Sequence, residues 1–194
     1  MRARTLEELL DLTTRLDARY HLVQGEPVKD KERTVLSLAR VLGASGVDYA
    51  VIGGLAVQFR SSDPRTTLDV DVAVRDYGDV PTAALEAAGF RMLQRHAHSE
   101  NWIGPDGTPV QFTDDPELHA AITEAEVRPL QDTSLRITTA FQLVRAKLRA
   151  ARDPSRRRSK RLIDLADAIA LADRDTAVRA RLTPEESAQL DATP

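Results

Sequence analysis

Between Val51 and Val74 the chain reads VIGGLAVQFRSSDPRTTLDVDVAV, and the two carboxylates near its apolar end constrain the fold more than any other feature. In a strand, residues i and i+2 project from the same face, so Asp69 and Asp71 aim together while Val70 and Val72 enter the core. An isolated carboxylate in an apolar medium is very costly, and two aimed at one point repel unless a cation sits between them. The run therefore predicts a strand over 67–74 whose polar face has a partner. Upstream, VDYAVIGG reads as a buried strand stopped by Gly53 and Gly54, with LAVQFR as the first turns of a short helix. Such a helix start presents unsatisfied backbone N–H groups and the positive end of a dipole to an anion, and without Cβ atoms the anion can come close.

Hard oxygen ligands select Mg²⁺ or Mn²⁺, and Mg²⁺ is commonly held by one or two carboxylates plus substrate phosphates. A phosphate on the Gly-Gly helix start with a metal beside it at Asp69 and Asp71 is an arrangement that displaces pyrophosphate from a nucleoside triphosphate by in-line attack. Arg65 could pair with the phosphate or with the carboxylates, and the Thr67 hydroxyl, on the face of Asp69, could bond either. A bare D-x-D also occurs on solvated strand edges; the Gly-Gly pair at this distance sets this one apart. The chain has no Walker lysine loop and no G-x-G-x-x-G. It has no cysteine, which excludes disulfides, zinc-thiolate sites and thiol nucleophiles.

The 194 residues suffice for one domain, or one domain with a helical appendage, burying about 70% of the unfolded surface. With aromatics at 4%, Leu, Val, Ile and Ala must build the core. Helices are predicted over 5–20, where Thr5 and Glu8 form a capping box, and over 30–43, ended by Gly43 and Gly46. A further helix runs from about Val80 to Gly89. FRMLQRH, ENWIG and TPVQFT then read as a three-strand meander, PELHAAITEAE as helical and LRI as a last strand. Helices from Thr138 and around Leu162 to Ile169 close the chain. The expected class is α+β, a mixed sheet flanked by helices, with a core over 1–137 and a C-terminal helical segment over 138–194 packed on it. Acidic Glu7, Glu8 and Asp11 interrupt the opening segment and no apolar run reaches membrane-spanning length, so a cytoplasmic protein without membrane contact is expected.

GGLAVQFR followed by RTTLDVDVAV resembles the signature of the DNA polymerase β-like nucleotidyltransferase superfamily, a Gly-Gly or Gly-Ser pair and then a D-x-D strand. R-x-T-x-D-x-D together with FQLVRAKLRAARDPSRRRSKRLIDL over 141–165 is similar to the AbiEii-type nucleotidyltransferases, many of which are toxins of toxin–antitoxin pairs. The resemblance covers roughly 45–170. It implies the nucleotidyltransferase fold and Mg²⁺- or Mn²⁺-dependent transfer of an NMP from an NTP to a hydroxyl of tRNA, other RNA, protein or a small molecule such as an aminoglycoside. It further implies that Gly53 and Gly54 hold the triphosphate, Asp69 and Asp71 the metals, and that Lys147 contacts the nucleotide phosphates. The residues themselves also allow Lys147 to be an ordinary lysine snorkelling along its helix.

Two positions depart from that family. Its third carboxylate falls on TPVQFTDD, where this chain has Gln111, whose amide carries no charge and takes no proton at neutral pH. Asp114 or Asp115 could substitute, although Asp114 has the opposite strand parity and needs a bulge or the strand's end to turn inward. In SKRLIDL, Arg161 stands where the family has the first aspartate of a D-x-x-D, leaving Asp164. These losses raise a second reading, a nucleotide- or RNA-binding module without transfer, and a third, an interaction protein such as an antitoxin-like partner. His96 and His98 form an H-x-H that reads as a solvated edge. The segment 145–161, with nine basic residues and one acidic, reads as a solvated helix face or as a grip on RNA.

Overall fold

The computed structural model describes residues 4–61 and 66–192, and divides into a compact unit Met1–Thr138 and a second, Thr139–Pro194. Arg65 lies outside the described residues. In the first unit, α1 (Leu6–Gln24) opens on the expected capping box: Thr5 Oγ1 accepts from Glu8 N at 3.2 Å and Glu8 Oε2 from Thr5 N at 2.8 Å. Leu6, Leu9 and Leu10 are buried, so α1 is part of the core and not a detached arm. The second helix, α2 (Lys31–Ser45), buries Val35, Leu38, Ala39 and Leu42 as the pattern predicts and packs on the sheet.

The sheet has seven described strands: β1 (Tyr49–Ile52), β2 (Val70–Val74), β3 (Arg91–His96), β4 (Ser99–Ile103), β5 (Pro109–Thr113), β6 (Glu126–Leu130) and β7 (Thr133–Ile137), in the order β3-β4-β5-β2-β1-β7-β6. Strands β2 and β5, and β1 and β7, run parallel; every other neighbouring pair is antiparallel. The meander β3-β4-β5 is present as read from its turn residues. Helix α3 (Gly53–Ser61) follows β1 without a linker and packs on β1 and β2. Two shorter helices, α4 (Thr82–Ala87) and α5 (His119–Thr123), serve the crossovers. Together these elements make an α+β fold, a mixed sheet flanked by helices.

Two strand readings need correction. The strand predicted over 67–74 begins only at Val70, leaving Asp69 just ahead of it. Its partner β1 ends opposite, at the Ile52↔Asp71 pair, where the chain turns into α3, so residues before Asp71 have no ladder on that side. EVRPL, whose Glu126 closes the segment read as helical and whose other residues carry no strand prediction, is β6, an edge strand. Its exposed charges and Pro129 suit an edge, which tolerates a missing N–H, and they hide the alternation that marks inner strands.

In the second unit, α6 (Ala140–Arg152) is capped by Thr139, whose side chain accepts from Gln142 N, and pairs with α7 (Arg158–Arg174). Two short helices, α8 (Thr176–Arg181) and α9 (Pro184–Asp191), follow unforeseen, although Thr183 and Glu186 form a second capping box with Pro184 in its first turn. No helix of the described residues is long and apolar enough to cross a membrane. Because Leu10 is fully buried, Leu10→Ala is expected to cost about 2–5 kcal/mol and lower the thermal midpoint measured by circular dichroism; an unchanged midpoint would show α1 to be a loose arm.

Candidate active site

Gly53 sits at the hinge between β1 and α3 with φ 65°, a left-handed conformation that side-chain-bearing residues seldom adopt. The space its side chain would fill is already taken: a Cβ built there lies 2.7 Å from Asp71 Cγ and 2.9 Å from Asp71 Cβ, and overlaps the carboxylate oxygen Oδ2. Asp71 belongs to β2 opposite Ile52, so the register places its carboxylate against the first turn of α3. The half-buried Asp71 thus reaches the helix start that Gly53 and Gly54 open, while Val70 and Val72 are fully buried.

Asp69 is exposed, and its Oδ1 accepts from Thr67 Oγ1 at 3.4 Å. Thr67 is itself buried and held from behind by residues that sequence reading missed. Its backbone N–H donates to Asp17 Oδ1 of α1 at 3.1 Å, and Asp17 Oδ2 is ion-paired with Lys31 Nζ of α2, both side chains being almost wholly buried. Burial raises the Asp17 carboxyl above the usual range, opposed by Lys31 and the Thr67 amide; burial lowers the Lys31 ammonium, opposed by Asp17, Asp69 and Asp106. His21, one turn beyond Asp17, lies within its electrostatic reach and bonds Glu26 Oε2 at 2.8 Å. The available signal was Asp17 among the leucines of an amphipathic helix, a charge on a face that should be apolar.

Gln111 is the direct neighbour of Asp71 across the parallel β2–β5 pair, and Asn101 of β4 follows in the same row. The third position expected from the resemblance therefore falls in register and presents a neutral amide. Asp114 does not replace it. It lies past the end of β5, three residues or about 10 Å of strand from Gln111, and meets His98 Nδ1 at 3.1 Å. Burial, and then the nearby Asp114 charge, push the Tyr77 phenol up to about 12. Asp115 caps the turn at Pro116–Leu118. His96 contacts Gln94 and His98 contacts Asp114, so the H-x-H pair has separate partners.

In the second unit Lys147, expected to contact phosphates, is clamped by two carboxylates: its Nζ lies 2.7 Å from Asp164 Oδ1 and 2.9 Å from Asp167 Oδ2. Arg161 stands on α7 as the sequence has it, and Asp164 and Asp167 lie one turn apart on one face of that helix. Arg156 also meets Asp164 at 3.0 Å. Arg145 and Arg152 pair with Glu186 and Glu185.

Among the described residues no group of three or more His, Asp or Glu side chains could hold a metal. Asp69 and Asp71 with the Gln111 amide fit a single Mg²⁺ that takes its remaining ligands from water and substrate phosphate. They do not fit a site needing three carboxylates.

Gly53→Ala is expected to weaken Mn²⁺ binding about tenfold by displacing Asp71, with a separate loss of about 1–2 kcal/mol of folding stability from the left-handed backbone; calorimetric titration beside thermal melting separates the two. Asp114→Asn is expected to leave Mn²⁺ binding unchanged and to bring the Tyr77 phenol down from about 12, read by absorbance during alkaline titration. Since a phenol shifted up favours the protonated folded state, that change also reduces the stability lost as pH rises from 10 towards 12.

No family model matches the chain, and no curated protein matches it. Solved structures do. The antibiotic-resistance factor ANT(2'')-Ia in complex with adenylyl-2''-tobramycin superposes with TM-score 0.53 at 15% identity, over 77% of this chain and 95% of that one. JHP933 from Helicobacter pylori gives 0.52 at 17%, over 82% and 70%. The lincomycin-bound lincosamide antibiotic adenylyltransferase LnuA gives 0.50 at 10%, over 73% and 97%. At these identities the likeness is one of fold, and the fold of this chain is that of the nucleotidyltransferase-like proteins.

Proposed function

We propose that the chain transfers a nucleoside monophosphate from a nucleoside triphosphate to a hydroxyl acceptor, using one divalent cation, Mg²⁺ or Mn²⁺, at Asp69 and Asp71. The observation that carries this reading is the Asp71 carboxylate lodged against Gly53, which brings a metal-binding group to a phosphate-binding helix start. The backbone N–H groups of Gly53 and Gly54 would receive phosphate oxygens, and Asp69 and Asp71 would hold the cation, which supplies charge neutralisation at the triphosphate. The acceptor oxygen bonds to the α-phosphorus, the bond from that phosphorus to the bridging oxygen breaks, and pyrophosphate leaves. The acceptor proton passes to water or substrate phosphate, because Gln111 cannot take it.

Gln111 in register with Asp71 favours a second reading, nucleotide or RNA binding without transfer. The acceptor has two supports. Exposed Arg157, Arg158 and Lys160 at the start of α7 suit an RNA backbone, and with it a toxin restrained by an antitoxin partner. Four other cations of 145–161 are spent on carboxylates of their own unit, and the fold is shared with antibiotic adenylyltransferases, which supports a small hydroxylated acceptor.

The test is transfer of label from each α-³²P NTP, with Mg²⁺ or Mn²⁺, to total RNA, to protein and to aminoglycosides, against Asp69→Asn/Asp71→Asn. Label that vanishes in the double variant is expected, and its location names the acceptor. No label above that variant, in a protein that binds NTP, replaces transfer with the binding reading. Gln111→Glu is then expected to bring label back, since it restores a carboxylate beside Asp71.

A further inference from the structure

A buried ion pair is weak evidence of stabilisation, since an apolar pair of similar volume often does as well. Asp17 and Lys31 are 2% exposed each, and their presence inside the first unit calls for another role. The geometry of Asp17 supplies one. Its two oxygens face different ways: Oδ2 is taken by Lys31, while Oδ1 accepts the backbone N–H of Thr67 at 3.1 Å. Thr67 lies ahead of β2, where no ladder serves its amide, and its hydroxyl reaches Asp69 at 3.4 Å. A continuous chain thus runs from Lys31 through Asp17 and Thr67 to Asp69.

We propose that Asp17 is a positioning residue for the metal-binding segment: by accepting the Thr67 amide it sets where Asp69 stands, and Lys31 holds its other oxygen in place. The proposal rests on Asp69 being a metal ligand. It makes α1 a working part of the site, although α1 precedes β2 by some fifty residues. The charged groups facing the pair are His21 on α1, Asp69 ahead of β2 and Asp106 in the β4–β5 turn, and Asp106 is engaged by Thr34 and Thr108. Thr67 is the group through which the pair touches the candidate site by a hydrogen bond.

The test compares two double variants of the full chain. Asp17→Leu/Lys31→Met removes both charges and the acceptor; Asp17→Asn/Lys31→Met removes the charges but keeps an acceptor oxygen for Thr67. Mn²⁺ alone is the probe, followed by electron paramagnetic resonance, beside exchange of the Thr67 amide followed by NMR and thermal melting. The expected result is a loss of about tenfold or more in Mn²⁺ affinity and a similar gain in Thr67 exchange for the Leu/Met variant, with the Asn/Met variant near wild type. Equal Mn²⁺ affinity in wild type and the Leu/Met variant, when Asp69→Asn abolishes binding, overturns the proposal and leaves the proposed function standing. So does equal weakening in both double variants. Wild type that binds no Mn²⁺ overturns both together. Should the Leu/Met variant not fold, the Thr67 amide of the wild type decides: protection supports the anchor, and exchange at the rate of an open loop overturns it.

Discussion

The candidate site depends on one absent side chain. Gly53 turns the chain from β1 into α3 in a left-handed conformation, and the volume that any other residue would fill there belongs to the Asp71 carboxylate. Carboxylate and helix start are thereby brought together by covalent geometry and strand register, not by a contact that could form in several ways. The register is itself fixed from both sides, by Ile52 on β1 and Gln111 on β5, so Asp71 cannot slip without turning Val70 and Val72 out of the core. The cost of misplacing the carboxylate is the cost of unfolding the centre of the sheet.

What was legible in the sequence follows from what is local. The Gly-Gly helix start, the alternation Val70-Asp71-Val72, the meander and the capping box of α1 are written in spacings of two to four residues. The position of Gln111 came from the resemblance, which placed the family's third carboxylate on TPVQFTDD, and the parallel register sets it beside Asp71. Asp17 and Lys31 were not legible. Each reads alone as a charge on a helix, and only the packing of α1 and α2 in one unit shows that they neutralise one another beneath Thr67. Edge strand β6 was lost because an edge needs neither alternation nor a complete set of N–H donors. Asp167 was not singled out either, because one more carboxylate on a helix shows nothing of its partner until α6 and α7 pack and it meets Lys147.

The C-terminal unit shows how a strongly basic segment need not be a surface for polyanions. Lys147 is enclosed by Asp164 and Asp167, Arg156 shares Asp164, and Arg145 and Arg152 draw α9 to α6 through Glu186 and Glu185. Charge counted along the chain overstates the charge offered to a partner. Arg157, Arg158 and Lys160 are exposed at the start of α7, where no carboxylate enters the first turn and Arg157 leaves the helix without a side-chain cap. That run sits on the positive end of the helix dipole, so its cations lack the usual compensation.

The division between a transferase and a binding module then narrows to a single pair across β2 and β5. With Asp71 charged and Gln111 neutral, the pair can hold one cation against a triphosphate but has no base for the attacking hydroxyl. An acceptor whose hydroxyl is acidic enough, or whose proton a substrate phosphate can take, needs no such base. The amide row from Gln111 to Asn101 donates and accepts hydrogen bonds without adding charge, so it can orient a hydroxyl that it cannot deprotonate. Orientation alone is worth several orders of magnitude in rate when the reacting atoms are held in line. In the reading proposed above, an amide at that position leaves alignment to the pair and proton transfer to water or substrate, so that reading expects slow transfer, whereas the binding reading expects none.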